Sequence, residues 1–251
     1  MNAACKVWVI RMSSSRILLH PSYVLHSRAY QDTSLIIDVF SRDHGRVSAL
    51  AKGAKQAKSK FNGLLQPFKL LLLSWSGRGE MFTLTGAEYK HRPLILKGES
   101  LLAAFYINEL ILKLTQRHDP HPELFDAYHL TIQQLEAGND NEPVLRKFEC
   151  YLLQEIGYGL ILDHDVESGE PVQPDKQYCY YPEQGPVMIT QTESNSQALT
   201  VRGAMLQALQ HEQLSDEIIL REAKHFMRAI IHHRLDGRPI RTRELNFHKV
   251  L

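Results

Sequence analysis

The residues of this sequence best suited to chemistry are four lysines in a short polar stretch: Lys52, Lys55, Lys58 and Lys60. The stretch contains no acidic residue, and Phe61 follows it directly. Closely spaced ammonium groups attract the phosphate backbone of a nucleic acid. A solvated loop that keeps the chain soluble has the same composition, and these residues alone leave both interpretations open.

Further basic side chains near the ends of predicted strands extend the candidate DNA-binding set. They are Arg28, Arg46, Lys69 and Arg78. Aromatic rings among basic residues can stack on unpaired bases, and Tyr30 and Phe61, both in predicted loops, are the candidates for that role. Trp75 alternates with Leu71 and Leu73, which favours a place in the core.

The last long predicted helix carries a second candidate site. Arg221, Lys224 and Arg228 are three and four residues apart, so they share one helical face. An apolar stripe at helical spacing, which includes Phe226, runs beside them. A basic row next to apolar side chains predicts a surface for an acidic peptide with a hydrophobic end. The alternative is a solvated face in which neighbouring glutamates of the helix pair with the basic residues.

Signatures of common enzyme classes are absent from the sequence. It contains no GxGxxG, phosphate-binding loop, GxSxG or HExxH motif. The densest group of potential metal ligands is Asp163, His164 and Asp165, with Cys179 farther along the chain, and it lacks the paired spacing of a zinc site. We therefore expect no catalytic residue, no metal site and no cofactor.

The charge of the chain is divided unevenly. Its 251 residues are 43% hydrophobic and 23% charged, which is ordinary for a globular protein. Residues 19–92 contain eleven basic and five acidic residues, a net charge of +6, whereas residues 93–251 have a net charge of −8. A basic part joined to an acidic part predicts two domains with different partners.

Cysteine usage and hydropathy indicate a cytoplasmic protein. The three cysteines are odd in number and far apart, which favours a reducing compartment over a disulfide scaffold. No apolar run approaches the ~20 residues of a membrane span. The short apolar patch near the amino terminus is interrupted by charge and makes a poor signal peptide. We expect residues 1–18 to form a disordered extension.

Residues 19–92 show the two-residue period of strands. Five short strands are predicted, at residues 23–28, 34–40, 46–51, 68–75 and 81–85, with a hairpin turn at Gly45. Five strands joined by tight turns fit a small closed barrel, and an oligonucleotide-binding (OB) fold is the leading candidate. Strand number alone does not separate it from an SH3-like barrel.

From residue 93 the apolar period changes to 3.6, which predicts helices. They are expected over 100–114, 122–136, 143–156, 200–211 and 215–235, with a short helical turn at 242–245. Residues 160–198 contain four prolines and are expected to form an irregular loop. The predicted fold class is α+β, with a five-stranded OB barrel (19–92) followed by an all-helical domain (93–251) that has an irregular insertion.

Several ordered blocks of sequence resemble bacterial RecO, the recombination mediator. In the basic part they are VLHSR at 24–28, DTSL at 32–35, VFSRDHGRV at 39–47, AKGA at 51–54, LQPF at 65–68 and WSGRGE at 75–80. In the acidic part they are YINEL at 106–110, RKFE at 146–149, IGYG at 156–159, SGEPV at 168–172 and RTREL at 241–245. Each block alone is weak, but their order over nearly the whole chain is specific.

The resemblance implies a protein that binds single- and double-stranded DNA and anneals complementary strands without making or breaking covalent bonds. It implies partnership with RecR and with the acidic carboxy-terminal tail of single-strand-binding protein, to load the recombinase RecA at the bacterial nucleoid. The tail-binding site of the family lies in the helical domain, which supports the row of Arg221, Lys224 and Arg228.

Many family members carry a four-cysteine zinc module in the region that matches residues 163–181, where this sequence retains only Cys179. The chain therefore resembles the zinc-free members, and we expect packing alone to hold this loop. Two other functions remain open on the residues alone. One is a zinc- or histidine-dependent nucleic-acid enzyme, and the other is an adaptor whose barrel binds protein rather than DNA.

Overall fold

The computed structural model describes residues 15–91, 95–190 and 198–244. The chain divides into two compact units, residues 1–93 and 94–251. The first unit holds the strands of the basic part, and the second holds the helices of the acidic part. The change of charge along the sequence therefore coincides with a change of unit.

The first unit is a closed barrel of five strands: β1 (Ser15–Tyr30), β2 (Ser34–Ser41), β3 (Gly45–Ala51), β4 (Leu71–Gly77) and β5 (Met81–Tyr89). The strand order is β1-β2-β3-β5-β4, with β4 returning to β1. All neighbours pair antiparallel except β3 and β5, which pair parallel. This arrangement confirms the predicted five-stranded barrel.

Alternating side chains build the core of the barrel. Val47, Ala49 and Ala51 of β3 point inward and are buried, as the two-residue period predicts. Their partners from the other strands are Val24, Ile37, Val39, Leu71, Leu73, Trp75 and Leu84. Between β2 and β3, Gly45 adopts a φ of +62°, a left-handed conformation that the tight turn requires.

Strand β1 is longer than the sequence pattern predicts. It begins at Ser15, so the prediction of a disordered extension over 1–18 is wrong for its last residues, which pair with β4. Residues 1–14 lie outside the described part of the chain. A bulge leaves both Leu18 and Leu19 exposed, and this breaks the two-residue period by which a strand is identified in a sequence.

The described part of the second unit contains five helices: α1 (Gly98–Leu114), α2 (Pro122–Glu136), α3 (Asn141–Glu155), α4 (Gly203–Gln210) and α5 (Glu217–Arg234). A short 3₁₀ helix (Arg241–Glu244) follows them. Carboxylates cap two of the helices, since Asp140 accepts one hydrogen bond and Asp216 accepts two from backbone N–H groups of the first turn. The predicted domain boundary at residues 92–93 lies outside the described residues.

The insertion is not wholly irregular. Three short strands, β6 (Gln177–Tyr181), β7 (Gly185–Met188) and β8 (Leu199–Arg202), form an antiparallel sheet in the order β7-β6-β8.

Strand β8 takes up the first residues of the predicted fourth helix, which begins at Gly203 instead of residue 200. A side chain at position 203 would overlap the carbonyl of Gln173, so only glycine fits where strand becomes helix. Val201 and Met205 are four residues apart and both buried. Their spacing extends the helical pattern back across β8, which explains the wrong boundary.

A single carboxylate organises the loop before β6. Asp165 is buried, and one of its oxygens accepts hydrogen bonds from the backbone N–H groups of Glu167 and Ser168, each at 2.8 Å. The other oxygen accepts from the N–H of Met188 in β7 at 2.6 Å. Burial alone would raise the pKa of Asp165, but these hydrogen bonds outweigh burial and lower the pKa. The expectation that packing alone holds this loop is therefore wrong.

Replacing Asp165 with alanine leaves three backbone donors without their acceptor. We expect Asp165→Ala to lower the free energy of unfolding by about 2–3 kcal/mol at pH 7, measured by urea denaturation. Hydrogen-exchange protection of the Ser168 and Met188 amides should fall with it. Because the folded pKa is depressed, this stabilisation is complete above the unfolded pKa of about 3.9 and disappears as the pH falls through the folded value.

Asp163→Ala is the matched control, since it removes an exposed carboxylate that pairs with His164 at 2.8 Å. Its effect on the free energy of unfolding should stay below about 0.5 kcal/mol. Equal effects of the two substitutions would contradict the organising role of Asp165.

Candidate nucleic-acid interface

Strand directions decide which loops meet at each end of the barrel. β1, β3 and β5 run one way, and β2 and β4 run the other. The β1–β2 loop (31–33), the lysine segment (52–70) and the end of β5 therefore share one end, called here the lysine end. The Lys55 N–H donates to the carbonyl of Thr33 at 2.8 Å, which joins the two loops directly.

The lysine segment folds as a succession of turns. Hydrogen bonds between residues three apart close four turns between residues 51 and 62. Lys52, Lys55 and Lys58 lie within this succession of turns. All three are exposed, and none of their ammonium groups forms a hydrogen bond or ion pair within the part of the chain that the structure describes. Their charge is therefore available to an anionic partner.

Lys60 and Lys69 are instead bonded to the barrel. The ammonium group of Lys60 donates to the carbonyl of Thr85 in β5 at 2.6 Å. That of Lys69 donates to the carbonyl of Gly63 at 3.3 Å and to the hydroxyl of Tyr89 at 3.2 Å. These contacts fasten the lysine segment to β5, so both ammonium groups have fewer N–H donors free for a phosphate than their spacing in the sequence suggests.

The arginines of the barrel do not share one end. Arg28 is exposed near the end of β1, at the lysine end. Arg46, at the start of β3, and Arg78, in the β4–β5 loop, lie at the opposite end. Arg46 is half-buried and Arg78 is exposed. The predicted DNA-binding residues therefore form one cluster and a separate pair.

Two of the three aromatic residues considered for stacking belong to the barrel core. Phe61 is 4% exposed and packs in the same cluster as Ala54 and Leu65, while Trp75 is 2% exposed. Phe61 has no free face for a base, so its predicted stacking role is wrong. A segment of small polar residues needs an apolar anchor, and Phe61 provides it. Tyr30 is 41% exposed at the lysine end.

The structure adds an aromatic residue that the sequence pattern does not single out. Tyr89, the last residue of β5, is 38% exposed at the lysine end. Its hydroxyl donates to the carbonyl of Gly63 at 3.1 Å. Glycine is depleted in strands, so the predicted strand stops at residue 85, before Gly86. Strand β5 in fact continues to Tyr89. The basic run Lys90-His91-Arg92 directly after Tyr89 is the feature of the sequence that could have indicated a nucleic-acid contact at this residue.

Helix α5 carries the residues predicted to bind a peptide. Arg221 and Arg228 are exposed, and neither side chain has a hydrogen bond or ion pair with any residue that the structure describes. Lys224 instead donates to the carboxylate of Glu142 in α3 at 2.6 Å. Glu222 does not pair with the basic row of its own helix, because its carboxylate accepts a hydrogen bond from the arginine at the end of β8. The basic row is thus reduced to two free guanidinium groups.

Phe226 belongs to the core of the helical unit. It is 4% exposed, and its ring packs edge-to-face on Tyr180, with 4.8 Å between the ring centroids. An amphipathic helix buries its apolar stripe, so Phe226 presents only a small part of its surface, and the contact between Phe226 and a peptide stays a prediction. A groove of about 580 Å³ lies between β8 and α5, lined in part by Leu199, His225 and Phe226 itself.

Carboxylates of the helical unit accept hydrogen bonds from other parts of the same unit. Glu149 accepts hydrogen bonds from Arg146 at 2.8 Å and from the hydroxyl of Tyr106 at 2.6 Å. Burial raises the pKa of Tyr106, which keeps its hydroxyl protonated as a donor. Glu109 accepts from two backbone N–H groups of the 3₁₀ helix. Within the described residues, no three histidine, cysteine or acidic side chains come together as metal ligands.

None of the helices in the described residues combines the length and the apolar character that a membrane crossing needs.

Two family models match the chain, one for each unit. The model for the recombination protein O N terminal matches residues 16–92, and the model for the recombination protein O C terminal matches residues 96–244.

Relatives named DNA repair protein RecO align over most of the chain. The relative from Azoarcus sp. strain BH72 is 43% identical over 92% of this chain and 95% of its own length. The relative from Methylococcus capsulatus is 43% identical over 94% of this chain and 95% of its own. The relative from Coxiella burnetii strain RSA 331 is 42% identical over 93% of this chain and all of its own length.

The buried position of Phe61 predicts a loss of stability rather than of nucleic-acid stacking when the ring is removed. Phe61→Ala should lower the free energy of unfolding of the barrel by about 3–5 kcal/mol, measured by chemical denaturation. Phe61→Leu refills the site without an aromatic ring and should cost about 1 kcal/mol. A Phe61→Leu variant that keeps its stability but binds single-stranded DNA more weakly would show that the ring contacts bases after all.

Proposed function

The chain belongs to the RecO family of DNA repair proteins, and from this membership we propose that it binds single- and double-stranded DNA and anneals complementary strands. Together with RecR, it helps to load RecA onto DNA coated by single-strand-binding protein. Annealing forms base pairs and no covalent bond, so it needs no catalytic residue. A protein with these partners acts in the bacterial cytoplasm, at the nucleoid.

The observation that carries DNA binding is the set of three exposed lysines at the lysine end. Lys52, Lys55 and Lys58 have no acidic partner among the described residues, and they belong to a part of the chain with a net charge of +6. Each phosphate that such a lysine neutralises releases a bound counterion, which drives association. Arg28 adds to this end of the barrel, and Arg46 and Arg78 meet phosphates at the other end.

Contacts of this kind suit annealing. A lysine binds phosphate as a point charge on a flexible stem, and it does not read base edges. The bases of a strand held by Lys52, Lys55 and Lys58 therefore stay free to pair with a second strand. Neutralised phosphates also reduce the repulsion between two strands that approach each other.

We propose that the exposed face of α5 holds the acidic tail of single-strand-binding protein. Guanidinium groups pair well with carboxylates, and Arg221 and Arg228 are both exposed there. The neighbouring groove, lined in part by Leu199 and Phe226, offers apolar surface for a hydrophobic tail end. The net charge of −8 over residues 93–251 disfavours DNA on this unit, so the peptide and the strand need not compete for one surface.

Removal of the three exposed lysines tests the DNA interface. In the Lys52→Ala/Lys55→Ala/Lys58→Ala variant, the slope of log K against log[salt] for single-stranded DNA should shrink by about 2, or about 0.7 per lost phosphate contact. The measurement is a fluorescence titration at several salt concentrations. Lys60→Ala should change the slope less, because that ammonium group is bonded to Thr85.

The matched control removes two lysines of the helical unit, Lys147 and Lys176, which pair with acidic neighbours. It should leave the slope unchanged. If the triple variant also keeps the slope of the wild type, the lysine segment does not contact DNA. The barrel would then act as the protein-binding adaptor that the sequence left open.

Charge reversal on α5 tests the peptide surface. Arg228→Glu should weaken binding of an acidic peptide with an aromatic end about fivefold to tenfold, because an exposed attraction of about 1 kcal/mol is replaced by repulsion. Fluorescence anisotropy measures the affinity, and DNA binding should not change. Arg238→Glu makes the same charge change outside the helix and should have little effect. Equal loss of peptide and DNA binding in Arg228→Glu would place the peptide surface elsewhere.

A further inference from the structure

We propose that Tyr89 is a stacking platform for unpaired bases and gives the lysine end a preference for single-stranded over duplex DNA. This inference rests on the proposed DNA binding and adds which form of DNA the site holds best. Charge alone cannot supply that preference, because lysines attract the phosphates of both forms.

Hydrogen bonds hold the Tyr89 ring in place. Its hydroxyl donates to the carbonyl of Gly63 at 3.1 Å and accepts from the ammonium group of Lys69 at 3.2 Å. The backbone of Tyr89 pairs with Leu71 of β4 at the end of the barrel. The ring is thus fixed at its backbone and at its hydroxyl, and 38% of the residue remains exposed. A ring held in this way loses little freedom when a base stacks on it.

The same hydrogen bonds connect the ring to the free charge. Gly63 and Lys69 belong to the lysine segment, which also carries Lys52, Lys55 and Lys58. A strand whose phosphates bind these lysines is therefore brought to the end of the barrel where the ring lies. The ammonium group of Lys69 lies over the Tyr89 ring, 5.4 Å from its centre, so this cation–π contact occupies one face of the ring and a base would stack on the other.

Few aromatic rings of the barrel can meet a base. Among its described phenylalanine, tyrosine and tryptophan residues, the exposed ones are Tyr30 and Tyr89. Of these two, Tyr89 has the hydroxyl bonded to the lysine segment. Phe61, the ring nearest to the lysines in the sequence, is buried. The ring proposed to stack on bases is therefore that of Tyr89 on β5, and not that of Phe61 inside the lysine segment.

Stacking separates the two forms of DNA by simple geometry. In a duplex each base is already stacked and paired, so no base face is available to a ring on the protein surface. In a single strand every base has a free face, whatever its identity, and stacking on an aromatic side chain stabilises the complex. Loss of the ring should therefore weaken binding of single strands and leave duplex binding and the salt dependence unchanged.

The test compares Tyr89→Leu with Tyr89→Phe in the full-length protein. The ligands are an oligodeoxythymidylate of about 16 nucleotides, an abasic strand of the same length and a duplex of the same length. Tyr89→Leu should bind the thymidylate about fivefold to tenfold more weakly than the wild type does. Tyr89→Phe loses the hydroxyl bonds but keeps the ring, and it should bind within about twofold of the wild type.

The abasic strand provides an independent readout, because it has the phosphates without the bases. The wild type should prefer the thymidylate to the abasic strand, and Tyr89→Leu should lose most of that preference. Equal losses in Tyr89→Leu and Tyr89→Phe would mean that the hydroxyl bonds, not the ring, matter, and would overturn the inference.

The inference and the proposed function fail in different ways. If both Tyr89 variants bind like the wild type while the triple lysine variant has a reduced salt slope, the stacking role is wrong and the DNA-binding function stands. If the wild type binds none of the three ligands, the proposed function itself is wrong, and the stacking role falls with it.

Discussion

Closure of the barrel depends on the parallel pairing of β3 with β5. Three residue pairs form this contact, and without it the five strands would be an open sheet with two unpaired edges. Because the pairing is parallel, β5 must run in the direction of β3 and end where the lysine segment begins. That direction brings Tyr89 and the lysines to one end of the barrel and leaves Arg46 and Arg78 at the other. The candidate DNA interface thus follows from strand direction rather than from nearness in the sequence.

The lysine segment combines repelling charges with a fixed backbone. On its own, a polar stretch with four lysines and no acidic residue would gain too little from burial to hold one conformation. Phe61 and Leu65 bury in the barrel core, and the side chains of Lys60 and Lys69 bond to β5. The remaining lysines are therefore presented on a held support, which reduces the conformational entropy lost when a strand binds.

In the helical unit, carboxylates that accept several hydrogen bonds provide a comparable support. Asp165 gathers backbone donors of the insertion, and Glu149 and Glu109 join helices to each other and to the 3₁₀ helix. Some of the acidic residues that give this unit its negative charge therefore stabilise its fold. Arg221 and Arg228 are exposed cations against this acidic background, and such contrast suits a surface that selects an acidic peptide.

Local patterns in the sequence determined the five-stranded barrel and the first three helices, since periodicity and turn residues depend on neighbours within a few positions. The family followed from the order of sequence blocks over nearly the whole chain. Tertiary structure alone decided that Phe61 is buried and Tyr89 exposed, that Lys60 bonds to a carbonyl 25 residues away, and that Val201 belongs to a strand rather than a helix. The physical reason is that burial and hydrogen-bond partners are set by residues far apart in the chain, which no local pattern records.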